Sequence, residues 1–231
     1  MNNSEKLTEE IERVLQSGGG SALFDREIMA VLLGAVHDRK QAQDVTKTLM
    51  DNCPGIGEIL GREIDDLKMI EGMTEHAAAA IECVKEAYKR ALREGLKRGP
   101  VMDSQEKLIE YVRVNIGFSA KEAVQIIYLD KQNRLIRDEV YFGTIDEVHL
   151  SERKVVKKAL SMEAASIILA HNHPGGSLEP SEDDKVMTRE LVSACQGVGI
   201  ELEDHIIMTD KGYCSFKERE LLVGSRTGAP L

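Results

Sequence analysis

Through Lys97 the apolar positions repeat every three or four residues, the mark of helices that each bury one face. Leu7, Ile11, Val14 and Leu15 predict a short amphipathic helix within residues 2–16, ended by Gly18-Gly19-Gly20-Ser21 as a flexible joint. Ile28, Val31, Leu32 and Ala35 share a face between Asp25 and Val36. Ala42–Met50 reads as a further short helix, Pro54-Gly55-Ile56-Gly57 as a turn, and Glu75–Lys97 as a long helix. Gly99-Pro100 stops that helix, which divides the chain into an all-α domain over 1–99 and a second domain over 103–231.

Beyond the break, strand-like and helix-like periods alternate. Ser104–Val114 is helical, with Leu108, Ile109, Tyr111 and Val112 apolar and Gly117 at its end. Ala123–Leu129 and Leu135–Phe142 read as two strands of a hairpin around a turn at Asp130–Asn133. Ser151 stands as the cap of a helix to Leu160, and Ser166–Ala170 is a short buried strand. A helix from Glu182 carries Met187, Leu191, Ala194, Cys195 and Val198 inward, followed by strands over Ile200–Met208 and Tyr213–Phe216. This order predicts an α/β architecture around a mixed sheet flanked by helices.

The stretch after the Ser166–Ala170 strand is where chemistry concentrates. Side chains on a strand repeat every second residue, so His171 and His173 leave its end on one face. Pro174-Gly175-Gly176 turns the chain, and Ser181 caps a helix whose first turn holds Glu182, Asp183 and Asp184. That path brings a carboxylate of the first turn back over two imidazoles. Two His and one carboxylate, with a fourth position left to water, suit a catalytic zinc site rather than a closed structural one. A His-x-His or an acidic cap by itself is most often only a pair of hydrogen-bonded histidines or a helix start. It is the two together, at fixed spacing, that point to a metal.

That spacing, His171-x-His173, seven residues, Ser181, two residues, Asp184, resembles the JAMM motif of the MPN-type metallopeptidases. Its form here, His171-Asn172-His173-Pro174 running to Glu179-Pro180-Ser181 and Asp184, is similar to the RadC family of bacterial proteins. Tyr128-Leu129-Asp130, Asn133–Ile136, Phe142-Gly143-Thr144 and Asp204–Ile207 support the resemblance, which is strong over 103–222 and looser before it. It implies a JAMM/MPN-like, cytidine-deaminase-like fold for 103–231 and one Zn2+ held by His171, His173 and Asp184. It further implies amide or isopeptide hydrolysis by a metal-activated water on an unknown peptide or protein substrate. Glu122, just before the first long strand, takes the general base's place in that family, with Glu139 and Glu147 weaker candidates. Ser181 would give its O–H to the oxyanion besides capping the helix.

Charge bears on the partner. The formal net charge is −10, of which residues 1–100 carry −4 and residues 101–231 carry −6, so neither domain is a basic module. Leu67–Thr74 with Ala78 and Ile81 is similar to a helix-hairpin-helix, but Thr74 stands where the second hairpin glycine would be. Weak DNA contact through residues 67–81 is therefore the most expected of this domain. A DNA-associated repair or processing factor, or a metal-holding scaffold without catalysis, are the alternatives to a hydrolase. Cys53, Cys83, Cys195 and Cys214 are scattered, as for free thiols in a reducing cytoplasm. There is neither a spanning apolar run nor a charged-then-apolar leader, and a cytoplasmic protein is expected. Asp204 and His205 form a candidate outer pair behind the metal.

Overall fold

A computed structural model describes residues 23–53, 55–101, 105–143 and 151–222, with residues 11, 12, 14, 16 and 21. Most of the expected helix within 2–16 lies outside these. The chain forms two compact units, 1–88 and 89–231. Their division falls inside the long helix, whereas sequence places the break at its end.

The first unit is helical: α1 (Asp25–Gly34), α2 (Arg39–Asn52), α3 (Ile56–Gly61), α4 (Ile64–Lys68) and the start of α5 (Glu75–Arg98). Asp38 caps α2 by accepting the Gln41 N–H at 3.1 Å. Where a plain turn is expected near Ile56, the chain makes the short helix α3, because Ile59 is needed in the core. That core joins Leu33, Val45, Leu49, Ile59, Leu67, Ala78 and Ile81. On α1 the buried face is Met29, Ala30 and Leu33 rather than the expected Ile28, Val31, Leu32 and Ala35, of which Ile28 and Ala35 are exposed. The hairpin between α4 and α5 turns on Gly72 at φ +81°, and a Cβ there would meet Val45 Cγ2 at 3.1 Å. Thr74 then caps α5, its Oγ1 accepting the Ala77 N–H at 3.2 Å.

The second unit continues with α6 (Gln105–Val112), a π-helical turn over Arg113–Gly117, β1 (Ala123–Leu129), β2 (Leu135–Phe142) and α7 (Glu152–Ser161). It ends with β3 (Ser166–Asn172), α8 (Glu182–Gln196), β4 (Glu201–Met208) and β5 (Tyr213–Ser215). The five strands form one mixed sheet in the order β2-β1-β3-β4-β5. Only β3 and β4 are parallel, joined through α8 as a parallel crossover requires. β1 and β3 are buried along their whole length, which is why they read as continuous apolar runs rather than alternating ones.

Helices cover both faces. Ile127, Ile168, Ala170 and Ile206 pack under Leu108, Ile109 and Val112 of α6. Ile126, Ile167, Leu169 and Leu202 pack under Val155 and Ala159 of α7 and Leu191, Val192 and Cys195 of α8. The π turn after α6 lets Gly117 press on β4, where a Cβ would stand 2.9 Å from Met208 Cγ. Ser151 occupies the N-cap of α7, but its side chain makes no capping bond.

Candidate metal centre

Alternation along β3 sends Leu169 and His171 to the α8 face and Ala170 and Asn172 to the α6 face. His171 is thus buried at the strand's end, directed at the first turn of α8. His173 lies one residue beyond the strand, its N–H still bonded to Met208 O at 2.9 Å. The turn that follows needs φ +78° at Gly176, and it swings the Ser177 carbonyl to 2.8 Å from His173 Nδ1.

Asp184 is the third residue of α8 and closes a reciprocal cap with Ser181. Ser181 Oγ accepts the Asp184 N–H at 3.1 Å, and Asp184 Oδ2 accepts the Ser181 N–H at 2.8 Å. The carboxylate so held stands with Oδ1 3.1 Å from His171 Nε2 and Oδ2 3.5 Å from His173 Nε2. The two Nε2 atoms are 2.9 Å apart. Burial alone would raise the Asp184 pKa, but hydrogen bonding to His171 and His173 outweighs it and holds the carboxyl well below the usual range. The Asp184 carboxylate raises His173 against the opposing effect of burial, with smaller help from the Ser177 carbonyl and the Glu122 charge.

These three side chains offer ligand atoms within 4.8 Å of one another. Around tetrahedral zinc, neighbouring ligand atoms lie about 3.3–3.4 Å apart, and the observed 2.9, 3.1 and 3.5 Å straddle that spacing. Two nitrogens and a carboxylate oxygen converging on one point fit a divalent cation. Without a cation or a proton between them they would repel.

The three donors line a cleft of about 980 Å3, together with Glu122, Ser181, Glu152, Lys154, Met187 and Glu190. Antiparallel pairing explains Glu122: Val124 stands opposite His171, so two residues earlier the chain passes beside His173. Asp183 also lines this cleft, while Glu182 turns to Lys185 at 2.6 Å. Glu139 is occupied away from the cleft by Lys158 at 2.5 Å and the Tyr141 hydroxyl at 2.8 Å. Glu147 lies outside the described residues.

Two residues near the site escaped the sequence reading. Asn172, between the histidines, sends its amide the opposite way. Its Oδ1 accepts the Ala123 N–H at 2.6 Å, and its Nδ2 donates to the carbonyls of Ser119 and Lys121 at 3.1 Å each. Thr188, one helical turn after Asp184, donates to the Asp184 carbonyl at 2.6 Å and sits 2.7 Å from His205 Nδ1. A polar residue on the inward face of an otherwise apolar helix was the available signal. The proposed Asp204–His205 side-chain pair does not form. The Asp204 carboxylate instead accepts the Ser215 hydroxyl and the Lys217 and His205 backbone N–H groups, while the His205 ring meets His171 at 2.7 Å. Adjacent residues on a strand face opposite sides of the sheet, so the two side chains of Asp204 and His205 part.

Residues 102–221 match the family model described as a RadC-like JAB domain. The chain is 35% identical over 206 residues to a UPF0758 protein of Variovorax paradoxus, covering 88% of this chain and 92% of that one. A UPF0758 protein of Neisseria meningitidis serogroup B is 34% identical over 212 residues, 91% of this chain and 94% of that one. A third, from Methylibium petroleiphilum, is 32% identical over 209 residues, 90% and 94% of the two chains.

Proposed function

This chain belongs to the RadC family, and from that premise we propose that it is a zinc-dependent hydrolase of amide or isopeptide bonds, binding one Zn2+ per chain. The observation that carries the reading is the convergence of His171 Nε2, His173 Nε2 and an Asp184 carboxylate oxygen at the wall of an open cleft. Zinc held by these three supplies a Lewis acid and brings the pKa of a water down to about 7. The cleft, at about 980 Å3, has room for a segment of extended chain beside the donors.

The chain's own residues supply the rest. Glu122, on the cleft wall beside His173, accepts a proton from the attacking water. It returns that proton to the nitrogen as the C–N bond breaks, so the products are a carboxylic acid and an amine. Ser181 Oγ already accepts the Asp184 N–H, which leaves its O–H to donate to the oxyanion that develops on the substrate carbonyl. Catalysis belongs to the second domain, the expected 103–231.

The test is metal analysis of the purified protein with cleavage assays on peptide, isopeptide and duplex-DNA substrates. Zinc near one equivalent per chain, with peptide or isopeptide cleavage that a chelator removes and added zinc restores, is the expected result. Zinc-loaded protein that leaves peptides and isopeptides intact, or cleaves DNA alone, overturns it.

A further inference from the structure

The metal donors are tied together from behind by a chain of three hydrogen bonds. His171 Nδ1 lies 2.7 Å from His205 Nε2, His205 Nδ1 lies 2.7 Å from Thr188 Oγ1, and Thr188 donates to the backbone carbonyl of Asp184 at 2.6 Å. The chain leaves one candidate ligand, His171, and ends on another, Asp184. Its polarity can be read from its last member. A carbonyl oxygen only accepts, so the single hydroxyl proton of Thr188 goes to Asp184. Thr188 Oγ1 can then only accept from His205, which places an N–H on His205 Nδ1.

His205 is wholly buried, stacked on Phe216 with ring centroids 4.4 Å apart. Its two ring nitrogens meet a hydroxyl and an imidazole rather than a carboxylate. A cation there would lack a counter-ion in contact, so the ring is neutral and its Nε2 is an acceptor. His171 must therefore carry a proton on Nδ1, which leaves Nε2 as the ring atom available to a cation between His173 and Asp184. Strand pairing fixes this arrangement: β4 runs parallel to β3 with Leu169 opposite His205, so His205 sits diagonally beside His171 on the α8 face.

We propose that His205, backed by Thr188, is a positioning residue for the metal centre that fixes the tautomer of His171 and so sets the site's affinity for zinc. The proposal rests on the zinc reading above but concerns residues that touch neither metal nor substrate. Histidine ligands depend on the partner of their other nitrogen, and removing such a partner typically weakens metal binding about 10–100-fold.

The experiment is zinc competition with a chromophoric chelator, on protein shown by circular dichroism to be folded, with long-range 1H–15N correlation of the histidine rings. His205→Phe keeps the stack on Phe216 and loses the acceptor; it should weaken zinc binding about 10–100-fold. His205→Gln restores an acceptor near the Nε2 position and should recover most of that loss. Thr188→Val should also weaken binding, and Thr188→Ser should not. In the wild-type protein, His205 should be protonated at Nδ1 only and His171 at Nδ1. A folded His205→Phe with wild-type zinc affinity, or a wild-type His205 protonated at Nε2, overturns the proposal. Where His205→Phe does not fold, the Thr188 pair and the wild-type ring spectrum decide between the two outcomes. The tautomers are measured equally on metal-free protein, so an absence of zinc or of hydrolysis counts against the hydrolase reading and leaves this one to its own result.

Discussion

Asn172 Oδ1 accepts the Ala123 N–H at 2.6 Å, joining the residue between the two candidate histidine ligands to the residue after Glu122. With its Nδ2 on the Ser119 and Lys121 carbonyls, one buried amide holds both flanks of the segment that carries Glu122. The His-Asn-His stretch thus faces two ways: histidines toward α8 and the cleft, asparagine toward the approach to β1.

Asn172→Ala should be costly for that reason. It strips partners from a buried N–H and two carbonyls, and a buried group left unsatisfied costs about 1–3 kcal/mol. A loss near the top of that range is expected from urea unfolding. Asn172→Asp keeps the acceptor for Ala123 but sets negative charge against two carbonyls, and should also unfold at lower urea. An unchanged midpoint for both would mean the 119–123 segment is held by other contacts.

Metal content should follow the three converging donors. Wild-type protein is expected to carry zinc, and His171→Ala with His173→Ala to carry none after the same purification. Elemental analysis decides it, and equal metal in the double variant would exclude these residues as the site.

The sequence carried most helices of the first unit and the succession of strands in the second because burial period and turn residues are local properties. It did not single out the buried face of α1, because every position from Ile28 to Leu33 is apolar. It carried the His171, His173 and Asp184 grouping because a strand end, a Gly/Pro turn and a capped helix start lie within fourteen successive residues. Asn172 and Thr188 were hidden because their partners are set by tertiary pairing. Asn172 bonds a segment about fifty positions earlier, and Thr188 meets a histidine on a parallel strand formed only after α8. The same holds for His205, where sequence adjacency suggested Asp204 and the pleat sent the two side chains apart. The start of α3 reads as a turn because Gly55 and Gly57 outweigh one apolar position locally, while the core needs Ile59.

Stability should depend on pH in opposite ways with and without metal. In metal-free protein His173 has its pKa raised above 6.5 and Asp184 has its lowered below 3.8. The raised imidazole contributes stability that is complete below 6.5 and lost as pH rises through its folded value. The depressed carboxylate contributes above 3.8 and loses its contribution as pH falls through its folded value. The pair therefore helps most between those limits, and metal-free protein should weaken as pH rises past 6.5. Zinc competes with the His173 proton, so its stabilisation grows over the same range. Thermal melts from about pH 6 to about pH 8 should show the gap between loaded and metal-free protein widening; a narrowing gap would contradict the assignment.

The hairpin of the first unit should be a poor DNA ligand. Thr74 Oγ1 takes the Ala77 N–H, one of the donors a helix start would otherwise offer a phosphate, and bonds His37 Nε2 at 3.2 Å. Glu75 adds negative charge in the first turn of α5. Weak duplex binding that vanishes at moderate salt is expected. Nanomolar affinity at physiological salt, with a steep salt slope, would refute it.

Glu122 and Asp184 should separate cleanly, because one is proposed to move a proton and the other to hold the metal. Glu122 makes its backbone bond through its carbonyl, which accepts the Gly143 N–H at 2.7 Å, and its side chain is exposed at the cleft wall. Glu122→Gln therefore leaves the local backbone untouched and keeps the side chain's shape while removing its charge and its ability to take a proton. Zinc content and thermal stability should stay near wild type, while hydrolysis falls about 10²–10⁴-fold. Asp184→Ala removes a donor and half of the reciprocal cap with Ser181, so metal and α8 should weaken together. Ser181→Ala should fall between, losing about 1 kcal/mol of cap and a donor to the oxyanion while retaining zinc. Metal analysis ranks the three variants before any substrate is known. If Glu122→Gln loses zinc as readily as Asp184→Ala, Glu122 is a ligand and its role as base is wrong. If it keeps zinc and cleaves a substrate at the wild-type rate, the base is another cleft carboxylate, with Asp183 the next to replace because it shares the wall with Asp184.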